Sequence, residues 1–343
     1  METKEKRITD AAQQLPVSKT FRVTKHKITV SFDTLTVQWL KNVKLRIKES
    51  SYVKYYNMVQ NHILPDLGTW QMDQLTTEAV EQFVQKKLTC GKRDGNGGLS
   101  EKTVKDILAI LKEICLYAVG LDMEVPCRFE LIKIRRRDLE VQVLDGKNYV
   151  ELVRFLLHDN HPRKTGILLS LYMGLRLGEV CALKRRHILY KEEVLCIRST
   201  MQRIQNVDGE GKRKTKVIVT DPKSNSSVRD IPIPSFLMER LEDFRRLPED
   251  AYLLTGRADR FIEPRTLEYT LKRYLQDCSM EHVNYHALRH TFATRCMEEG
   301  FDAKSLSEIL GHSNVNITLN RYVHSSMEQK RKNMGKIVPY KFS

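Results

Sequence analysis

Apolar side chains keep a helical rhythm from residue 31 to about residue 121, lose it over residues 122 to 143, and resume in a different pattern from residue 144. The interrupting stretch, DMEVPCRFELIKIRRRDLEVQV, carries a proline, the triplet Arg135-Arg136-Arg137 and no sustained period. One continuous core would not be broken this way, and 343 residues suffice for two domains that each bury their own. The stretch therefore reads as an interdomain linker, and a basic linker can lie along a phosphate backbone.

Before the break, SSYVKYYNMVQNHIL puts Tyr52, Tyr55, Tyr56, Val59 and Ile63 at helical spacing behind Ser50 or Ser51 as a cap. TTEAVEQFVQKKL starts at a threonine cap and carries Val80, Phe83, Val84 and Leu88, while SEKTVKDILAILKEICLYAVG runs from a Ser100 cap to Gly120. The glycine-rich CGKRDGNGGLS between them is a loop. The tyrosines read as helix core ahead of base stacking, with the lysines of the opposite faces as backbone contacts. Residues 1 to 30 are polar and basic and read as a flexible arm.

After the break, helices are expected at 147–158, 162–174, 235–247, 265–277, 287–299, 303–310 and 314–324. Two strand-like pieces, HILYKEEVLCIRST and KTKVIVT…VRDIPIP, flank the hairpin tip NVDGEGKRK. The expected fold is mainly α with a small antiparallel β-sheet, in two domains.

Lys and Arg number 58 against 43 Asp and Glu, a net charge of +15 that favours a polyanionic partner. Seven scattered cysteines with no Cys-x-x-Cys pair suggest thiols in a reducing compartment. The N-terminus lacks the apolar core of a secretory signal, and the longest apolar run, GILLSLYMGL, is far short of a membrane span. A cytoplasmic protein with no membrane partner is expected.

The decapeptide HALRHTFATR, residues 286 to 295, sets Arg289 between His286 and His290 on neighbouring helical positions. A metal site would need neutral imidazoles around a cation, and a permanent guanidinium beside a dication is repelled. An anion fits better, because a planar fork and an imidazole can grip phosphate oxygens together. Further polar residues interrupt apolar patterns. Arg176 and Glu179 sit in YMGLRLGEVCAL, Lys223 falls at a turn in DPKSNSSVRDIPIP, and ILGHSNVNITLNRYVH places His312 after a helix-ending glycine and Tyr322 on the next helix. A buried arginine needs a partner, which for Arg176 is either Glu179 or a functional anion.

With these motifs in this order, GLRLGE, KSNSSVRDIPI, HALRH, LGHS and NRYVH, the chain resembles the tyrosine recombinases of the phage integrase family. The likeness spans residues 144 to 324, with a helical, SAM-like core-binding domain ahead of it at 31 to 121. It implies a clamp around double-stranded DNA and a nucleophile, Tyr322, that forms a 3′-phosphotyrosyl intermediate. It also implies a phosphate grip from Arg176, Arg289 and His312, Lys223 as the acid for the leaving 5′-oxygen, and His286 as base or orienter near the nucleophile. Glu179 reads as the structural partner of an arginine; His290 and His324 read as core, capping or surface groups. Such chemistry conserves the phosphodiester energy in the protein–DNA bond, so neither a cofactor nor a metal is demanded. The resemblance further implies a homo-tetramer on paired sites, a Holliday junction, and accessory DNA-bending or directionality proteins. The tail at 325–343 is expected to form a short helix and dock on a neighbouring protomer. An arm of 30 residues is short for an arm-binding module, but the extended hairpin tip and the longer tail after Tyr322 depart from the Xer type, and a mobile-element integrase is expected ahead of an Xer-type chromosome or plasmid dimer resolvase and then a type IB topoisomerase.

Overall fold

The computed structural model describes residues 30–135, 141–207, 213–222 and 225–322, together with Arg331, Met334 and Gly335. Lys223, Arg136 and Arg137, His324, the arm up to residue 29 and nearly all of the tail lie outside the described residues. The chain divides into two compact units, Met1–Arg136 and Arg137–Ser343.

The first unit is helical. It comprises α1 (Phe32–Lys44), α2 (Glu49–Met58), a π turn at Val59–Ile63, α3 (Leu64–Leu67), α4 (Thr77–Cys90) and α5 (Glu101–Val119). Side-chain caps set two of the starts: Thr76 Oγ1 accepts from the Ala79 amide at 3.2 Å and Ser100 Oγ from the Thr103 amide at 3.2 Å. Neither Ser50 nor Ser51 caps α2. The helix begins earlier, behind an extended Lys48 whose carbonyl accepts from the Ser51 and Tyr52 amides, and both serines fall inside its first turn. The core of this unit holds Phe32, Leu35, Val59, Ile63, Leu75, Val80, Ile107, Leu111 and Ile114, all out of solvent. Among the three tyrosines of α2, Tyr52 is buried while Tyr55 and Tyr56 are half-buried, with Tyr55 parallel to Trp39.

The second unit is built around α7 (Pro162–Met173), which buries every residue from Lys164 to Leu171. A helix apolar on all sides must be wrapped by others. Against it pack α6 (Gly146–Leu157), α8 (Leu177–Ala182), α10 (Pro264–Asp277) and α11 (His286–Glu298), and the unit also holds α9 (Ser235–Leu241), α12 (Ala303–Leu310) and α13 (Val315–Tyr322). The six-residue α8 was not among the expected helices.

The β structure forms two sheets where the sequence suggested one. β1 (Ile188–Leu189), β2 (Val194–Ile197) and β5 (Arg229–Pro232) make a three-stranded antiparallel sheet, while β3 (Thr200–Gln205) and β4 (Thr215–Thr220) form a separate hairpin. The VRDIPIP segment thus pairs with β2, Cys196 opposite Asp230, and not with the neighbouring β4. Its inward positions, Arg229, Ile231 and Ile233, are buried, so the segment goes where that face can be covered. All seven cysteines are free thiols, and no helix of the described residues is long and apolar enough to cross a membrane.

Candidate active site

The site grows from the sharp turn between α7 and α8. Gly174 ends α7 in the left-handed conformation at φ 66°, where a Cβ would lie 2.7 Å from both Phe292 and Leu310. Two residues on, Arg176 caps α8 and Glu179 occupies its third position. The Glu179 carboxylate reaches back, Oε2 accepting from the Arg176 amide at 2.9 Å, half of a capping box. Its Oε1 accepts from Arg176 Nη1 at 2.7 Å. Glu179 is only 3% exposed.

A second arginine completes that carboxylate. Arg229 on β5 donates from Nη1 to Oε1 at 3.0 Å and from Nη2 to Oε2 at 2.9 Å. Its Nε donates to the Ile309 carbonyl at 2.5 Å and its Nη1 to the Ser227 carbonyl at 3.1 Å. Burial pushes the Glu179 carboxyl up, but the hydrogen bonds and charge of Arg229 and the charge of Arg176 outweigh it and hold the group down at about 2. Arg229 thus ties together β5, the α8 turn and the end of α12.

That end of α12 is where the other cations converge. Arg289 on α11, 1% exposed, donates from Nη1 to the Gly174 carbonyl and from Nη2 to the Leu310 carbonyl, both at 2.7 Å. Arg176 Nη2 donates to the very next carbonyl, Gly311, at 3.1 Å. Gly311 ends α12 at φ 65°, and His312 follows it, with Nδ1 2.8 Å from Thr318 Oγ1 on α13. Burial and the charge of Arg176 lower the Arg289 guanidinium to about 9, which leaves it cationic at neutral pH. Burial and then the charges of Arg289, Arg176, Arg321 and Arg229 lower His312 to about 3, so its imidazole is neutral without an anion.

Tyr322, the last residue of α13, is 7% exposed, and its hydroxyl lies 2.6 Å from Nδ1 of His290. Burial raises its pKa, while the charges of Arg289, Arg321 and Arg176 and a hydrogen bond from Arg321 pull the other way. His286 sits one turn before His290, its ring at 84° to the other with centroids 4.5 Å apart. It keeps an exposed edge, yet desolvation by its packed side and the charges of Arg289, Arg321 and Arg176 lower it to about 4.

Arg176, Glu179, Arg289, His312 and Tyr322 are therefore gathered at the junction of α8, α11, α12 and α13, with His286 at its edge. Lys223 lies outside the described residues, between β4 and the 3₁₀ turn at Asn225–Ser227. Two participants were missed in the sequence. Arg229 shares a strand face with Ile231 and Ile233, an arginine on an apolar stripe and so a detectable signal. His290 was assigned a core, capping or surface role; it is buried, but its ring meets the hydroxyl of Tyr322, 32 residues away.

Chemically, two anchored guanidiniums, neutral imidazoles and a phenol can hold an oxyanion and deliver a nucleophile to it. Among the described residues no group of three or more His, Cys, Asp or Glu is arranged to hold a metal ion.

Comparison with known proteins agrees in both units. The profile of the phage integrase family matches residues 142–329, and that of the phage integrase N-terminal SAM-like domain matches residues 31–88. The chain is 29% identical over 325 residues to a tyrosine recombinase XerC-like protein of Caldanaerobacter subterraneus subsp. tengcongensis, covering 88% of this chain and 81% of the relative. It is 22% identical over 309 residues to the ICEBs1 integrase of Bacillus subtilis, covering 86% and 79%. Among solved structures, the Tn1549 transposon integrase in complex with transposon right end DNA superposes with a TM-score of 0.69 at 20% identity. That match covers 90% of this chain and 99% of the other.

Proposed function

Since this chain belongs to the phage integrase family, we propose that it is a mobile-element integrase that cleaves and rejoins double-stranded DNA through a phosphotyrosine. The observation that carries this reading is the seating of Arg289 and Arg176 on the consecutive carbonyls of Leu310 and Gly311, beside His312 and with Tyr322 inside their charge field. Two guanidiniums fixed on one helix end, each with donors to spare, form a grip sized for the non-bridging oxygens of a single phosphodiester.

In the proposed reaction Tyr322 Oη forms a bond to phosphorus as the bond to the 5′-oxygen breaks, leaving a 3′-phosphotyrosyl enzyme and a 5′-hydroxyl. Arg176, Arg289 and His312 offset the charge that builds on the non-bridging oxygens. Lys223 supplies the proton to the 5′-oxygen, a role taken from its place in the KSNSSVRDIPI motif. A 5′-hydroxyl from a partner strand then attacks, and the steps run in reverse. Four protomers on two paired sites, assisted by accessory DNA-bending or directionality proteins, carry out the exchange in the cytoplasm.

A DNA duplex nicked next to the cleavage point traps the intermediate. The intact chain should give a denaturant-resistant adduct without added magnesium, and Tyr322→Phe should give none. An adduct of equal yield from Tyr322→Phe overturns the nucleophile. The likeness to the XerC-like relative favours a second reading, a dimer resolvase. Recombination between two identical sites in direct repeat, without accessory factors from an element, would select it over integration.

A further inference from the structure

The hydroxyl of Tyr322 is engaged by a residue to which the family motifs give no role. His290 Nδ1 lies 2.6 Å from it, and the two rings stand 5.7 Å apart at 49°. Both side chains are buried, His290 on α11 directly after Arg289 and Tyr322 at the end of α13. A contact this short between two oriented, dehydrated groups contains a proton. Burial, then the neighbouring His286, Arg321, Arg289 and His312, hold the imidazole neutral, down at about 3. The phenol, raised by its own burial, keeps its hydrogen at neutral pH. The phenol is therefore the donor and Nδ1 the acceptor, which places the imidazole proton on Nε2.

That polarity suits attack. With its hydrogen directed at His290, the oxygen keeps a lone pair for an electrophile. Resting on the reading of Tyr322 as the nucleophile, we propose that His290 is the base of the reaction. As Tyr322 Oη bonds to phosphorus and the bond to the 5′-oxygen breaks, the phenolic proton passes to His290 Nδ1. The same nitrogen returns it to the phenolate when an incoming 5′-hydroxyl displaces the tyrosine.

Of the charges that, with burial, weaken His290 as a base, Arg289 is also one that grips the phosphate. A phosphodiester seated on Arg176 and Arg289 supplies negative charge next to the imidazole and raises its basicity. The base is thereby armed by the substrate, and Tyr322 stays protonated and buried until DNA arrives. Arg321, against the same hydroxyl, stabilises the charge that grows on oxygen as the proton leaves. His286 packs on the face of this pair and serves to fix the His290 ring.

The test is single-turnover cleavage of the nicked duplex by His290→Asn, His290→Ala and, for comparison, His286→Asn. The asparagine Oδ1 can occupy the place of Nδ1 and accept the hydrogen bond, but it cannot take the proton. Both His290 variants should bind DNA as the intact chain does and lose cleavage by about 10²-fold or more. Added imidazole should restore part of the rate to His290→Ala, in proportion to its free base, which repair of a merely structural defect would not do. His286→Asn should lose less. Cleavage by His290→Asn within about threefold of the intact chain would reduce His290 to an orienting group and overturn the proposal. Faster cleavage by His290→Ala would make the contact a restraint and overturn it equally. If His290→Ala does not fold, His290→Asn alone decides. An intact chain that forms no adduct overturns the nucleophile reading instead, so the two failures are distinguishable.

Discussion

Arg229 closes a two-bond fork on Glu179, Nη1 to Oε1 at 3.0 Å and Nη2 to Oε2 at 2.9 Å, with both side chains almost wholly out of solvent. Arg176 is left with one side-chain bond to the same carboxylate, at 2.7 Å, and retains about a third of its exposure. The buried arginine thus takes up the carboxylate, and the partly exposed one keeps donors for a ligand.

Removing one partner strands the other as a buried charge. Arg229→Met should cost on the order of 3 kcal/mol in urea unfolding, softened because Arg176 still faces Glu179. Pairing it with Glu179→Leu should recover much of that stability, since apolar groups of similar volume often replace a buried ion pair at little cost. Cleavage should not recover, because Arg176 then has no carboxylate to anchor it. Strictly additive stability losses in the double variant would show that the fork is not a coupled unit.

Gly311 is required for two separable reasons. Its φ of 65° is strained for any side chain, and an added Cβ would meet the Ser226 carbonyl at 3.0 Å and Arg229 at 3.1 Å. Gly300 has φ 89° but nothing within 4 Å of its Cβ position. Gly300→Ala should therefore lose roughly 1 kcal/mol from backbone strain alone, and Gly311→Ala distinctly more. Gly311→Ala should also slow cleavage, since the Gly311 carbonyl holds Arg176. Equal thermal shifts for the two variants would argue against the close approach.

The parts of this site that are legible in the sequence are those where a charge breaks an apolar pattern. Arg176 and Glu179 stand out in YMGLRLGEVCAL, and Arg229 carries the same signal in VRDIPIP, on the inward face with Ile231 and Ile233. His290 gives no such signal. Residues Ala287 to Thr291 are all buried, so no polar face of α11 sets it apart, and its partner comes from a helix 32 residues away. Strand pairing is hidden for a similar reason: alternation identifies β5 as half-buried but does not choose between β2 and β4 as its neighbour. Caps are local, hence the starts of α4 and α5 can be read while the start of α2, behind a lysine, cannot.

Arg289 spans two carbonyls from different elements, Gly174 and Leu310, each at 2.7 Å. A lysine ammonium cannot reach both and still present a fork to a phosphate. Arg289→Lys and Arg176→Lys should each slow single-turnover cleavage by about 10²-fold or more, the usual loss for a transition-state donor. DNA affinity measured by fluorescence anisotropy should change far less, because most of it comes from contacts elsewhere on the backbone. A parallel loss of affinity and rate would recast these residues as ground-state binders.

Stability should fall on the acid side, in two stages whose signs follow from the buried groups. His187, His290 and His312 are held near 4, 3 and 3, against an ordinary 6.5, chiefly by burial. Between about pH 6.5 and 4 the unfolded chain takes up protons that the folded chain refuses, so unfolding is favoured as pH drops. Each such imidazole contributes a slope of up to about 1.4 kcal/mol per pH unit. Glu179, at about 2 in the fold against 4.5, acts in the same direction further down: its stabilisation is complete above 4.5 and is lost as pH falls toward 2. The urea midpoint should therefore decline from pH 6.5 downward, before any carboxylate titrates. His187 lies apart from the reacting groups, with Nδ1 accepting the Lys184 amide at 3.1 Å. His187→Asn keeps an acceptor there, and should flatten the decline between pH 6 and 4.5 while leaving cleavage unchanged. A midpoint constant from pH 7 to 5 in the intact chain would mean that these imidazoles take up protons in the fold as readily as in the unfolded chain, and the depressed basicity assigned to His290 would fall with them.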